Sequence, residues 1–266
     1  MKNRIDLLFE KKHAEILSVY FTAGFPERDD TLPLLELLEA GGADMVEIGI
    51  PFSDPLADGP VIQQSSSAAL KNGMSMRLLF SQLRDVRKKI SMPLILMGYL
   101  NPVLQFGMEN FCRSCRESGI DGVILPDLPP DMFEEEYKEM FAEYGLHIIF
   151  LITPQTSEER VRRIDDLSGG FVYLVSDSAT TGSRNSFSEK QQIYFERIRA
   201  MKLRNPSLIG FGIHNRETFT RACGFASGAI VGSAFIRSLA ENKDIMQAVQ
   251  SFVQSVKKEN HDHSVA

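Results

Sequence analysis

Eight short apolar runs rich in β-branched residues recur along the chain: Ile16 to Phe21, Met45 to Ile50, Leu94 to Tyr99, Gly122 to Pro126, His147 to Ile152, Phe171 to Ser176, Ser207 to Gly212 and Gly228 to Ser233. Their starts lie 29, 49, 28, 25, 24, 36 and 21 residues apart, and each run is followed by a polar turn and a longer stretch of helical periodicity. Connections of that length suit a crossover helix, so the strands they join run parallel. Eight successive βα units close into a (β/α)8, or TIM, barrel. An open, doubly wound α/β sheet is the alternative, and it normally carries a Gly-rich dinucleotide-binding turn after its first strand. Here that turn reads Thr22-Ala23-Gly24-Phe25-Pro26. The expected architecture is one α/β barrel domain over residues 1–266, its bottom capped by an N-terminal helix that carries Ile5, Leu7, Leu8 and Phe9.

Charge and cysteine content narrow the function classes. The 35 acidic residues outnumber the 29 basic ones, and no basic run is long enough to track a phosphate backbone, which disfavours nucleic acid as a partner. No apolar run approaches the roughly 18 residues of a membrane span, so a soluble, cytoplasmic protein is expected. Three cysteines do not make a disulfide framework. Cys112 and Cys115 form a C-x-x-C pair, but without a second pair or a nearby ligand histidine they read as part of an ordinary helix rather than as a metal site. His261 and His263 read as part of a frayed tail.

The second run carries the most informative residue. In Met45-Val46-Glu47-Ile48-Gly49-Ile50 the β-branched residues share one face, which suits contact with covering helices, so Glu47 points into the barrel. None of the eight runs holds a Lys or Arg to pair with it. A desolvated, unpaired carboxyl has a raised pKa, as a general acid or base near neutral pH requires, although a buried structural role would produce the same pattern. Two long intervals follow strands two and six, and long connections at the C-terminal face of such barrels carry function. The first, Pro51 to Pro60, reads as a shaped loop and holds Asp54 and Asp58, which are either turn formers or a second carboxylate over the barrel mouth. The second, Asp177 to Ser186, reads as a mobile lid. Gly210-Phe211-Gly212-Ile213 and Val231-Gly232-Ser233-Ala234 end the seventh and eighth runs, where barrels commonly bind phosphate on backbone N–H groups and a helix N-terminus. His214 neighbours that position, with a capping or solvated role favoured, and Tyr99 and Tyr173 are either core or pocket rings.

The segment Val46 to Pro60 closely resembles the signature of the tryptophan synthase alpha chain family. Further similarities run in order through Tyr20 to Pro26, Met97 to Pro102, Leu125 to Pro129, Tyr173 to Ser176, Thr181-Gly182, Gly210 to Ile213 and Val231 to Ala234. The resemblance implies a TIM barrel that cleaves indole-3-glycerol phosphate to indole and glyceraldehyde 3-phosphate, a retro-aldol lyase step with no cofactor or metal in this chain. It also implies a beta chain partner, in an alpha2beta2 assembly, that uses pyridoxal phosphate to join indole to serine. Carried over by residue, it makes Glu47 the acid/base and Asp58 the carboxylate that holds the indole N–H. Thr181 would order the lid and position Asp58. Gly182, Gly212, Gly232 and Ser233 would bind phosphate, and Tyr20, Tyr99, Ile124, Tyr173, Phe211 and Ile230 would surround the organic part. Asp54 and Asn101 would lie near the partner. Two positions depart from the pattern of some members: Tyr20 replaces Phe and Asp177 replaces Arg.

Neighbouring activities fit less well. Indole-glycerol-phosphate synthase would want a Lys at a strand end, and a metal-dependent epimerase would want inward His and Asp ligands on several strands, whereas His147 starts strand five at the wrong end of the barrel. A catalytically silent barrel that binds the same kind of anion as a regulatory subunit would keep the glycines and lose a carboxylate, yet Glu47 and Asp58 are both present.

Overall fold

The computed structural model describes residues 2–176, 187–210 and 212–257. Nine parallel strands form one curled sheet: β1 (Ile16–Thr22), β2 (Met45–Gly49), β3 (Leu94–Met97), β4 (Gly122–Ile124), β5 (His147–Ile148), β6 (Leu151–Ile152), β7 (Val172–Val175), β8 (Ser207–Gly210) and β9 (Gly228–Val231). Their spatial order is β5-β4-β3-β2-β1-β9-β8-β7-β6. The eight runs of the sequence are therefore eight staves, with the fifth in two pieces. Its interruption keeps the ring continuous, because the Ile149 N–H donates to Val123 O on one side (2.9 Å) while Phe150 O accepts from the Tyr173 N–H on the other (3.0 Å). The two edges of the sheet are thus the two halves of one stave, and the barrel closes.

Strand alternation sorts the apolar side chains into two layers. Val46 and Ile48, with Leu17, Val19 and Leu96, pack outward beneath the helices. Ile16, Met45, Ile95, Ile149, Phe171 and Leu208 fill the interior, where Ile124 also lies fully buried. The lower end is plugged by Ile5 and Phe9 of the N-terminal helix Arg4–Lys11. Asn3 caps that helix in a reciprocal box with Asp6 and donates from Nδ2 to Asp121 O at 2.8 Å. Asp121, buried at the foot of β4, accepts from Arg4 (3.0 Å), Arg87 (2.6 Å) and the Leu94 N–H (2.9 Å). His147 lies at this same lower end, 2.8 Å from Asp6, away from the mouth. Cys112 and Cys115 are buried on the inner face of the helix Met108–Glu117, and no group of three or more potential metal ligands occurs among the described residues. The segment Asp177 to Ser186 and the tail histidines His261 and His263 fall outside the described residues.

Candidate active site

At the C-terminal ends of the strands the barrel opens into a cavity of about 570 Å³, a size suited to a small organic ligand. Glu47 and Tyr173 lie in its wall, and the adjacent staves β1 and β9 add Tyr20 and Ile230. Glu47 is fully buried. Its Oε1 accepts from Ser18 Oγ at 3.0 Å, and its Oε2 has no hydrogen-bond partner among the described residues. Burial pushes the carboxyl up to about 8, opposed in part by the Ser18 hydrogen bond, so a neutral and an ionised form are both accessible around neutral pH. Burial, and then the nearby carboxyls of Glu47 and Asp58, also hold the Tyr173 hydroxyl firmly protonated.

Asp58 reaches the same cavity from the loop after β2. Tyr99 Oη donates to Asp58 Oδ2 (2.9 Å) and accepts from the Ala57 N–H (3.1 Å), and the ring is steadied against Phe52, with centroids 5.3 Å apart. The loop is tied to the following helix, Pro60–Lys71: Ser66 Oγ bonds both the N–H and the carbonyl of Phe52 (2.7 and 2.8 Å), and Gln63 donates to Asp58 O at 2.9 Å. The segment is thus a shaped loop held at both ends. Burial raises the Asp58 carboxyl, and the Tyr99 hydroxyl counters the rise. Asp54 and Asn101 are exposed, Asp54 on this loop and Asn101 on the helix Leu100–Phe106.

The part of the cavity wall that follows β8 and β9 is suited to an anion. Gly212 has φ +75°, a left-handed conformation that glycine adopts without strain. Gly232 precedes the helix Ser233–Glu241, whose first turn has no side-chain cap, so its leading N–H groups and the positive end of the helix dipole are open at the cavity wall that Gly232 and Ser233 form. His214 and Arg237 line the cavity too. His214 makes a 3.1 Å contact from Nδ1 to Gly212 O.

The predicted groups therefore assemble from distant parts of the chain: Glu47, Asp58, Tyr20, Tyr173, Ile230, Gly212, Gly232 and Ser233 line one cavity, and Tyr99 stands behind Asp58. Ile124 sits deeper, in the interior layer, and does not line the cavity. Thr181, Gly182, Asp177 and Phe211 fall outside the described residues. Sequence reading missed two residues. Ser18 shares the inward register of Ile16 and Tyr20, which was a usable signal, and Arg237 lies one helical turn beyond Ser233.

A family model described as "Tryptophan synthase alpha chain" matches residues 7–265. The chain belongs to the tryptophan synthase alpha chain family. Among curated members, those of Flavobacterium psychrophilum and Phocaeicola vulgatus are 54% and 53% identical to it, each alignment covering 96% of this chain and 99% of the relative. Among solved structures of the family, tryptophan synthase subunit alpha from Legionella pneumophila superposes with a TM-score of 0.87 at 36% identity, covering 96% of this chain and 97% of that one. A chain of the Pyrococcus furiosus tryptophan synthase complex gives 0.81 at 35% identity, covering 90% and 96%. The barrel expected from strand spacing is the family's fold.

Proposed function

We infer that the cavity is the active site at which this alpha chain cleaves indole-3-glycerol phosphate into indole and glyceraldehyde 3-phosphate. The observation that carries the reading is Glu47: a fully buried carboxyl at the cavity wall, with one oxygen unpartnered and a pKa raised to about 8. Neutral Glu47 gives its proton to the ring carbon that bears the glycerol side chain. The resulting carboxylate then takes the proton of the adjacent glycerol hydroxyl as the carbon–carbon bond breaks, so one group serves as acid and then as base. Asp58, steadied by Tyr99, accepts the indole N–H and stabilises the positive charge that develops on the protonated ring. Gly212, Gly232 and Ser233 receive the phosphate, Arg237 adds a positive field, and Tyr20, Tyr173 and Ile230 surround the indole. We assign Thr181, Gly182 and Phe211 to the same site on the family resemblance alone.

The indole product is consumed by a beta chain that holds pyridoxal phosphate, this chain using no cofactor of its own. The loop from Pro51 to Asp58 and the start of the Leu100–Phe106 helix, with Asp54 and Asn101, form the contact, and Leu56 stands 91% exposed beside them. We place the protein in the cytoplasm and read residues 1–266 as one domain. No described helix is long and apolar enough to cross a membrane, and the strands from β1 to β9 share one sheet.

Indole release from indole-3-glycerol phosphate, with and without a beta chain, tests the reading. Glu47→Gln is expected to lower turnover by about 10² to 10⁴ while leaving glyceraldehyde 3-phosphate binding nearly intact. Turnover within about threefold of the parent would remove Glu47 from the chemistry.

A further inference from the structure

The two oxygens of Glu47 stand in different surroundings. Oε1 accepts the Ser18 hydroxyl at 3.0 Å, and Oε2 has no partner among the described residues. Ser18 is as completely buried as Glu47 and lies on the neighbouring stave, in register with Met45 on one side and Ile230 on the other. Beneath it the interior is apolar, formed by Ile16, Met45, Ile95 and Phe171, so Glu47 is the acceptor within its reach. A hydroxyl carries one proton. If neutral Glu47 held its own proton on Oε1 and donated it to Ser18, the serine proton would be buried facing hydrocarbon, at the cost of an unsatisfied donor. If Ser18 donates to Oε1, its hydroxyl is satisfied and the acid proton resides on Oε2; Glu47 lines the cavity and Ser18 does not, so a bound ligand can accept that proton.

We propose that Ser18 is a positioning residue that fixes the exchangeable proton of Glu47 on Oε2, the oxygen without a partner among the described residues. The proposal rests on the assignment of Glu47 as the acid/base. Ser18 touches no reacting atom and acts by orienting the carboxyl and by stabilising its ionised form with a hydrogen bond to Oε1. Among the described residues, the other titratable groups that share the cavity with Glu47 are the hydroxyls of Tyr20 on β1 and Tyr173 on β7, Asp58 on the loop, and His214 and Arg237. Among the described residues, none of these is hydrogen-bonded to Glu47 Oε2.

The test compares Ser18→Ala, Ser18→Thr and Glu47→Gln in the full-length chain, using the pH dependence of indole release and a carbon-13 or infrared titration of the Glu47 carboxyl. Loss of a donor to the ionised form raises the carboxyl's pKa. In Ser18→Ala its titration, and the limb of the rate profile that follows it, are therefore expected to move up by about half to one pH unit. Turnover is expected to fall roughly three- to tenfold with KM within about twofold, and Ser18→Thr, which keeps the hydroxyl, to recover most of both effects. An unshifted titration in Ser18→Ala beside an inactive Glu47→Gln overturns the role of Ser18 alone. Equal losses in the Ala and Thr variants with a lowered unfolding midpoint overturn it too, in favour of simple packing. Parental turnover in Glu47→Gln takes down the acid/base assignment, and the proposal with it.

Discussion

A carboxyl that is useful because it is desolvated is also a burden on the fold. Folded Glu47 keeps its proton to about pH 8, whereas an unfolded carboxyl releases it near 4.5. Between these values the folded state binds more protons than the unfolded one, so stability is lost as pH rises through that window. Glu47→Gln removes the liability. The variant is expected to unfold later than the parent at pH 8, by roughly 2–4 kcal/mol, with the difference vanishing near pH 4; urea titrations at the two pH values measure it. The direction of this residue was legible in the sequence because Val46 and Ile48 declare the outer face of β2, which leaves Glu47 one choice. For Ser18 the inward direction was legible from its place between Ile16 and Tyr20, but its partner was not, since a serine in a β-rich run says nothing of what it bonds until the strand beside it is known. The register that sets Tyr20 against Glu47 and Ser18 against Met45 supplies that knowledge.

The loop after β2 behaves as an element in its own right. Its prolines announced a turn, but what aims Asp58 is the hydroxyl of Tyr99, which arrives from the end of another stave, and the two-sided grip of Ser66 on Phe52. Contacts between residues 14 and 41 positions apart leave no periodicity behind, so the loop's existence was readable and its aim was not. The same holds for the fifth stave, where the unbroken apolar run His147 to Ile152 gave no sign of the interruption at Ile149 and Phe150. Tyr99→Phe is expected to leave Asp58 without its donor and the Ala57 N–H without its acceptor. It should lower indole-forming kcat/KM by about tenfold, a loss of 1–2 kcal/mol, while phosphate-end binding, measured with glyceraldehyde 3-phosphate, stays within twofold. Equal weakening of both would place Tyr99 in the general fold instead.

Across the whole molecule, pairings between strands close in sequence account for every contact in the sheet but one. The exception is β1 with β9, which sets Ile16 against Gly228 and Ser18 against Ile230. At Gly228 the two backbones approach so closely that an added Cβ would overlap the Ile16 carbonyl oxygen, an atom with no rotamer to escape into. Gly228→Ala is accordingly expected to cost about 3 kcal/mol or more, seen as a lowered urea midpoint, whereas an unchanged midpoint would mean that the seam can spread at no cost. The seam also carries Tyr20 from β1 and Ile230 from β9, and Gly232 follows just beyond it, so three walls of the cavity meet where the chain joins its own beginning. Joining segments so remote carries the largest loop-closure entropy in the sheet, which favours its completion after the neighbouring pairs have formed. Ligand affinity is then a late reporter: during refolding, backbone circular dichroism is expected to recover before glyceraldehyde 3-phosphate binding. A chain interrupted before residue 228 lacks Ile230, Gly232 and Ser233 and the strand that joins β8 to β1, so that synthesis itself withholds the chemistry until the ring can be joined.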